Sequence, residues 1–160
     1  MMWHTTMTNF KTTLWLTLLC GLTIVFVQCL DYLYVRYLPS FPFYLSFCDV
    51  HLIWNTGLLL GIFASIDSIT IIIMSCLFCL WLLHSLVMSQ SMIESLAIVL
   101  IIGGGGSNLC HRLLLGAVPD FITCNLYWIQ TPYFNFGDIL ITVGVGCLLI
   151  QYLLVIKMRA

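Results

Sequence analysis

Ser68-Ile69-Thr70-Ile71-Ile72-Ile73-Met74-Ser75-Cys76-Leu77-Phe78-Cys79-Leu80-Trp81-Leu82-Leu83-His84-Ser85-Leu86-Val87-Met88 contains no Asp, Glu, Lys or Arg. A helix needs roughly 20 apolar residues to cross the hydrocarbon of a bilayer. The stretch has that length and that chemistry, and is read as a transmembrane span. Ser89-Gln90-Ser91 is too short for anything but a tight connection, so the apolar run from about Met92 to Cys110 is the returning span. Outward from this pair, a first span is expected over about 14–37 and a fourth over about 137–156. Asp31, Tyr32, Tyr34, Arg36 and Tyr37 give the first span an end with the aromatic and charged residues of a membrane interface, and Pro39 and Pro42 stop its helix.

Composition agrees. The chain has 160 residues, of which 62% are hydrophobic and 7% charged, and its mean hydropathy is +1.11. A soluble domain carries about 25% charged residues, so the expected class is an integral membrane protein, mainly α, forming one domain over 1–160. With a net charge of −1 there is no basic field for nucleic acid. The run from Leu14 to Leu30 is longer than the apolar core of a secretory signal and lacks a small-residue cleavage site, so it reads as a retained span.

Two segments, about 38–66 and 111–136, are too broken to span. The first, through His51-Leu52-Ile53-Trp54-Asn55-Thr56-Gly57, reads as short extended pieces around a turn, a small β-platform at the membrane surface. Lys11, Lys157 and Arg159 fall on one side of a four-span chain and Arg36 and Arg112 on the other. The bias favours cytoplasmic ends and an extracytoplasmic platform. Cys20, Cys29, Cys76, Cys79 and Cys147 lie inside apolar runs, where cysteine acts as a small hydrophobe; pairing among Cys48, Cys110 and Cys124 is open. The Cys76-x-x-Cys79 spacing lacks the soluble context of a redox motif.

Chemistry concentrates in the second segment. Asp120 lies in Gly116-Ala117-Val118-Pro119-Asp120-Phe121-Ile122, and Asp138 closes Phe134-Asn135-Phe136-Gly137-Asp138 before the fourth span. Ionisable groups at the edge of hydrocarbon are expensive and suggest function. Two carboxylates brought together can share one proton and activate water; alternatively, Asp138 simply caps the fourth helix. Asn55, Asn108 and Asn135 need partners for their amides near lipid. Arg112 can pair with a carboxylate, bind a lipid phosphate or snorkel. No His or Glu spacing on the spans suggests a metal site.

In order, these segments resemble the lipoprotein signal peptidases (signal peptidase II). Asp31 stands where the family has an Asp-Gln pair. Asn55-Thr56-Gly57-Leu58-Leu59-Leu60-Gly61 is similar to the family's Asn-x-Gly-Ala-Ala-Phe-Gly/Ser. Gly103-Gly104-Gly105-Gly106-Ser107-Asn108-Leu109-Cys110-His111-Arg112 resembles Gly-Gly-Ala-x-Gly-Asn-x-x-Asp-Arg, and the two aspartate segments resemble Gly-x-Val-Val-Asp-Phe-Ile and Phe-Asn-x-Ala-Asp. The resemblance implies a membrane aspartyl endopeptidase that acts on diacylglyceryl-modified prolipoproteins, cleaving before the lipidated cysteine. It implies Asp120 and Asp138 as the catalytic pair, and Asn55, Gly57, Asn108, Arg112, Asn135 and Asp31 as substrate-binding or supporting residues. It also implies a multi-pass protein of the bacterial inner membrane, monomeric among membrane lipids, with its site at the outer face and no cofactor or metal.

Tyr32 replaces the family's Gln, Val35 its Lys, Leu60 its Phe and Ser107 a Gly, and His111 replaces the Asp before the motif Arg. If that Asp anchors the Arg, His111→Asp is expected to be tolerated. The alternatives are an inactive lipoprotein-binding homologue and a small proton- or ion-coupled membrane protein.

Overall fold

The structure is a computed structural model and describes residues 2–37, 44–45, 47–57, 67–89, 91–126 and 128–159, with side chains over 12–37, 47–57, 67–89, 91–125 and 128–158. In chain order the elements are α1 (Met2–Tyr37), β1 (Tyr44–Leu45), β2 (Cys48–Asn55), α2 (Ser68–Met88), α3 (Met92–Leu115), β3 (Val118–Leu126), β4 (Ile129–Gln130) and α4 (Phe136–Arg159). Segment 58–66, which includes Leu58 to Gly61 of the Asn-x-Gly motif, lies outside the described residues.

Among the described residues, four helical stretches are long and apolar enough to cross a membrane: Thr12–Tyr37, Ser68–Met88, Met92–Leu115 and Phe136–Met158. The third helix runs five residues past the expected end at 110, to Leu115. It stops at Gly116, whose φ of 76° is the left-handed conformation that glycine adopts without strain, and the Gly116 N–H closes the last turn on the Arg112 carbonyl at 3.0 Å.

Helix α3 is the axis of the bundle and packs against α1, α2 and α4. In its apolar window 56% of residues are buried inside the protein, against 6–17% in the other three helices. Cys20, Leu82, Leu86, Ile98, Val99, Ile101 and Ile102 form a core of α1, α2 and α3 side chains. Trp15, Leu22, Phe26, Leu77, Leu80, Trp81, Leu149 and Leu153 face outward, as they can only where the surroundings are apolar.

The strands form one sheet in the order β1-β2-β3-β4, antiparallel throughout. It sits at the end of the bundle where α1 and α3 finish and α2 and α4 begin. In β2 the register slips by one residue between Val50 and Ile53, so His51 and Leu52 together oppose Phe121. Such a bulge bends the strand and re-aims the residues beyond it. Here those residues include Asn55.

Candidate active site

The site starts from the closest approach of two helices. A Cβ on Gly104 would lie 2.2 Å from the Gly137 carbonyl oxygen, so α3 and α4 meet backbone to backbone because both residues lack a side chain. One turn beyond Gly104 is Asn108; one residue beyond Gly137 is Asp138. Contact at the glycines therefore brings the two polar side chains together, and Asn108 Nδ2 donates to Asp138 Oδ1 at 2.9 Å.

Asn135 caps α4. Its Oδ1 accepts the Asp138 N–H at 3.1 Å, and Asp138 Oδ2 accepts the Asn135 N–H at 3.3 Å. This reciprocal pair is a capping box with Asp in the place of the usual Glu or Gln. The cap and the candidate acid are the same residue.

Asp120 comes from the sheet. Asn55 lies opposite Val118 and Ile53 opposite Asp120, so Asn55 and Asp120 are diagonal neighbours across the ladder. Asn55 Nδ2 donates to Asp120 Oδ2 at 2.8 Å. Behind Asp120, Phe121 stacks on Tyr34 of α1 with ring centroids 3.8 Å apart and meets Phe136 of α4 edge-on at 5.3 Å. This aromatic clasp ties β3 to two helices at the residue next to the carboxylate.

The two aspartates are joined through amides. Asn135 Nδ2 donates to Asp120 Oδ1 at 2.7 Å and to Asn108 Oδ1 at 3.1 Å, while Asn108 donates onward to Asp138. Asn135 is fully buried and Asp120 is 2% exposed. Both carboxylates line one cavity of about 310 Å³ between α2, α3, α4 and the sheet, with Asn55, Asn108, Arg112, Phe78, Ile101 and Ile141 in its wall. Arg112 Nη2 donates to the Gly57 carbonyl at 2.7 Å, and the Gly57 N–H donates to Asn55 Oδ1 at 2.8 Å. The guanidinium charge acts on both carboxylates.

Burial pushes the Asp120 carboxyl up to about 6. The hydrogen bonds from Asn55 and Asn135 and the charge of Arg112 oppose the rise, and the charge of Asp138 adds to it. A carboxyl poised near neutrality, beside a second carboxyl in a cavity, suits general acid and base work on water. Among the described residues no three His, Cys, Asp or Glu side chains gather as metal ligands would.

Of the residues singled out from the sequence, Asn55, Gly57, Asn108, Arg112, Asn135, Asp120 and Asp138 come together in this network. Asp31 lies alongside it, and the charges of Asp120 and Asp138 act on its carboxyl. Its fully buried carboxylate faces His111, with Nδ1 to Oδ2 at 3.8 Å. His111 therefore reaches toward α1, and the charge of Arg112 still acts on it. Consecutive residues on a helix point about 100° apart, so His111 meets Asp31 while Arg112 donates to the Gly57 carbonyl. Gln28 was missed. Its amide donates to Ser107 Oγ and to the Ser107 carbonyl at 2.9 and 2.8 Å, locking α1 to α3 one residue before Asn108. A lone amide inside an apolar span was the available signal.

The family description "Signal peptidase (SPase) II" matches residues 19–154. The lipoprotein signal peptidase of Anaplasma marginale (strain Florida) is 35% identical over 65% of this chain and 62% of its own. That of Borrelia hermsii is 33% identical over 79% of this chain and 83% of its own, and that of Aquifex aeolicus 29% identical over 91% of each. The alignments with the relatives from A. marginale, Anaplasma phagocytophilum and Pelagibacter ubique span 62%, 65% and 64% of those proteins' lengths. Two solved bacterial membrane enzymes superpose with TM-scores of 0.73 and 0.71 at 24% identity, over 86% of this chain and 87% and 92% of theirs; they share the fold. The chain is a multi-pass membrane protein that belongs to the signal peptidase II family.

Proposed function

We propose that this chain is an aspartyl endopeptidase that removes the signal peptide from diacylglyceryl-modified prolipoproteins, cutting before the lipidated cysteine. The observation that carries the reading is the amide relay joining Asp120 and Asp138 in one cavity. A helix cap alone would need Asn135 and Asp138; it would not need a second buried carboxylate held by Asn135 and by the further amide of Asn55.

In this reading Asp120 is the ionised member. Both its oxygens accept short amide hydrogen bonds, which favour the charged form. The weaker contact on Asp138 Oδ2, at 3.3 Å, leaves that oxygen to carry the shared proton. Asp120 takes a proton from water as the water attacks the scissile carbonyl. Asp138 polarises that carbonyl and then protonates the leaving amine. Arg112, Asn55 and Gly57 fix the chain at the end of β2, beside the cavity.

The cavity reaches from Arg112 down to Ile101, about 16 Å along α3, and its deep wall is Phe78, Ile101 and Ile141. That apolar depth suits acyl chains held in the bilayer, and anchoring by them lowers the entropic cost of presenting the peptide. The distribution of Lys11, Lys157 and Arg159 supports an inner-membrane orientation with the sheet and site at the outer face. We read the protein as a working monomer among membrane lipids.

The test is cleavage of a diacylglyceryl-modified precursor by the purified protein. Wild type cleaves; Asp120→Asn and Asp138→Asn insert and accumulate but lose far more than the roughly 10²–10⁴-fold typical of one acid–base group, since both act on one water. Near-normal turnover by either variant overturns the assignment. No cleavage by the wild type favours a lipoprotein-binding homologue.

A further inference from the structure

Far from the cavity, at the opposite end of the β2–β3 ladder from Asn55, Cys48 and Cys124 are directly opposed. Their sulfur atoms lie 2.6 Å apart. The local hydrogen bonding says what kind of pair this is. The Asn125 N–H donates to the Phe47 carbonyl at 2.8 Å, so Phe47 and Asn125 are the hydrogen-bonded couple next to the cysteines. Cys124 directs its own backbone away from β2: its N–H donates to Thr131 Oγ1 at 2.8 Å, and its carbonyl accepts the Thr131 N–H at 2.9 Å. Cys48 and Cys124 therefore occupy a non-hydrogen-bonded position, where opposed Cα atoms approach most closely, about 4.5 Å, and side chains stand nearest. That separation is within the range a disulfide bridges.

We propose that Cys48 and Cys124 form a cross-strand disulfide that staples the β-platform. The proposal rests on the outer-face placement of the sheet argued above, since that side of a bacterial inner membrane is oxidising. The reaction is thiol–disulfide exchange with a disulfide-bearing oxidant protein of that compartment. One cysteine thiolate attacks a sulfur of the oxidant's disulfide, forming a mixed disulfide and expelling the oxidant's other sulfur as thiolate. The second cysteine then attacks its partner's sulfur, the internal S–S bond forms, and the oxidant leaves as a dithiol. Two electrons pass to the oxidant, and the two thiol protons end on the oxidant or in water.

The location gives the bond a purpose. Beyond the cysteines the ladder slips by one residue at the bulge between Val50 and Ile53, and only after the slip does Asn55 reach Asp120. A one-residue slide would turn Asn55 to the other face. A covalent link on the near side of the bulge fixes the register from which the slip is counted.

The experiment is differential alkylation of the full chain in spheroplasts. A membrane-impermeant maleimide is applied first, before or after a reductant; remaining free thiols are capped under denaturing conditions; buried disulfides are then reduced and given a second tag, and each cysteine is located by peptide mass. The proposal expects Cys48 and Cys124 to carry the second tag without reductant, and the impermeant tag after it. In Cys48→Ser, Cys124 takes the impermeant tag with no reductant. If both cysteines of the wild type take the impermeant tag without reductant, the site is outward but reduced and the disulfide is refuted. If they react only after the membrane is broken, whatever the reductant, the disulfide and the outer-face placement fall together. None of these outcomes reads prolipoprotein cleavage, so the assignment of Asp120 and Asp138 stands or falls separately.

Discussion

Asn55→Leu is the perturbation that tests how the pair works. The change removes the amide that donates to Asp120 Oδ2 at 2.8 Å and leaves the side-chain volume nearly the same. A hydrogen bond to a charged group is worth about 1.5–3 kcal/mol net. The donor stabilises the carboxylate and not the acid, and one pKa unit corresponds to about 1.36 kcal/mol. Burial already lifts Asp120 to about 6. Loss of the donor therefore lifts it by a further one to two units, to about 7–8. If Asp120 must be ionised to activate water, the acid limb of kcat/KM moves up by that amount. At pH 7 the ionised fraction drops from about nine-tenths to between about half and a tenth, so turnover falls roughly two- to tenfold and recovers as the pH is raised through about 8. Loss of the Asn55 Oδ1 contact to the Gly57 N–H adds a smaller, pH-independent loss. The assay is kcat/KM on a lipidated precursor in detergent from about pH 5 to 9. A limb that stays near 6 with the same fractional loss at every pH would refute the electrostatic role of Asn55. A limb that moves down would show that Asp120 is the protonated member.

Asp120→Asn should also change how stability depends on pH. The folded carboxyl titrates at about 6 against an ordinary 3.8, so between these values the folded state binds more protons than the unfolded state. Wild-type stability then falls as pH rises through that window, by at most about 3 kcal/mol, and is flat above it. The thermal midpoint of the variant relative to wild type should rise from pH 4 to 6 and then level off; a constant difference contradicts the raised ionisation. Gly104→Ala should force α3 from α4, because its Cβ would meet the Gly137 oxygen at 2.2 Å. Overpacking costs about 1–3 kcal/mol, and a shift of about 1 Å at Asn108 and Asp138 should cost on the order of 10²-fold in cleavage. Gly146→Ala, with open space around it, should cleave normally; equal behaviour of the two variants would remove the glycine contact from the argument. His111→Asp should lower the yield of folded protein by setting a second carboxylate beside buried Asp31, and Asp31→Asn in the same chain should restore it. Unchanged yield in the single variant, measured by size-exclusion chromatography, would show that the two side chains do not interact.

The spans were legible from composition alone. Twenty uncharged residues in a row have one stable home, and Ser68–Met88 reads the same alone or in the bundle, because the bilayer acts on each segment separately. The candidate residues were also legible, since their value lies in local motifs such as Asn55-x-Gly57 and Asn135-x-x-Asp138, and in the scarcity of charge around them. Which of them meet depended on packing. Whether Asp138 was a cap or an acid looked like a choice in the sequence; the packing of Gly104 on Gly137 makes the cap and the candidate acid compatible, by bringing Asn108 within reach of a capping box that Asn135 then links to Asp120. Asp31 and His111 face each other between α1 and α3, beside the two carboxylates rather than within their amide network. Cys48 and Cys124, far apart in the chain, became partners only through strand register. Periodicity and burial are encoded within about one turn or one strand, whereas the direction in which a side chain meets another element depends on helix rotation, close glycine contacts and a one-residue bulge, and these are set only when the elements pack.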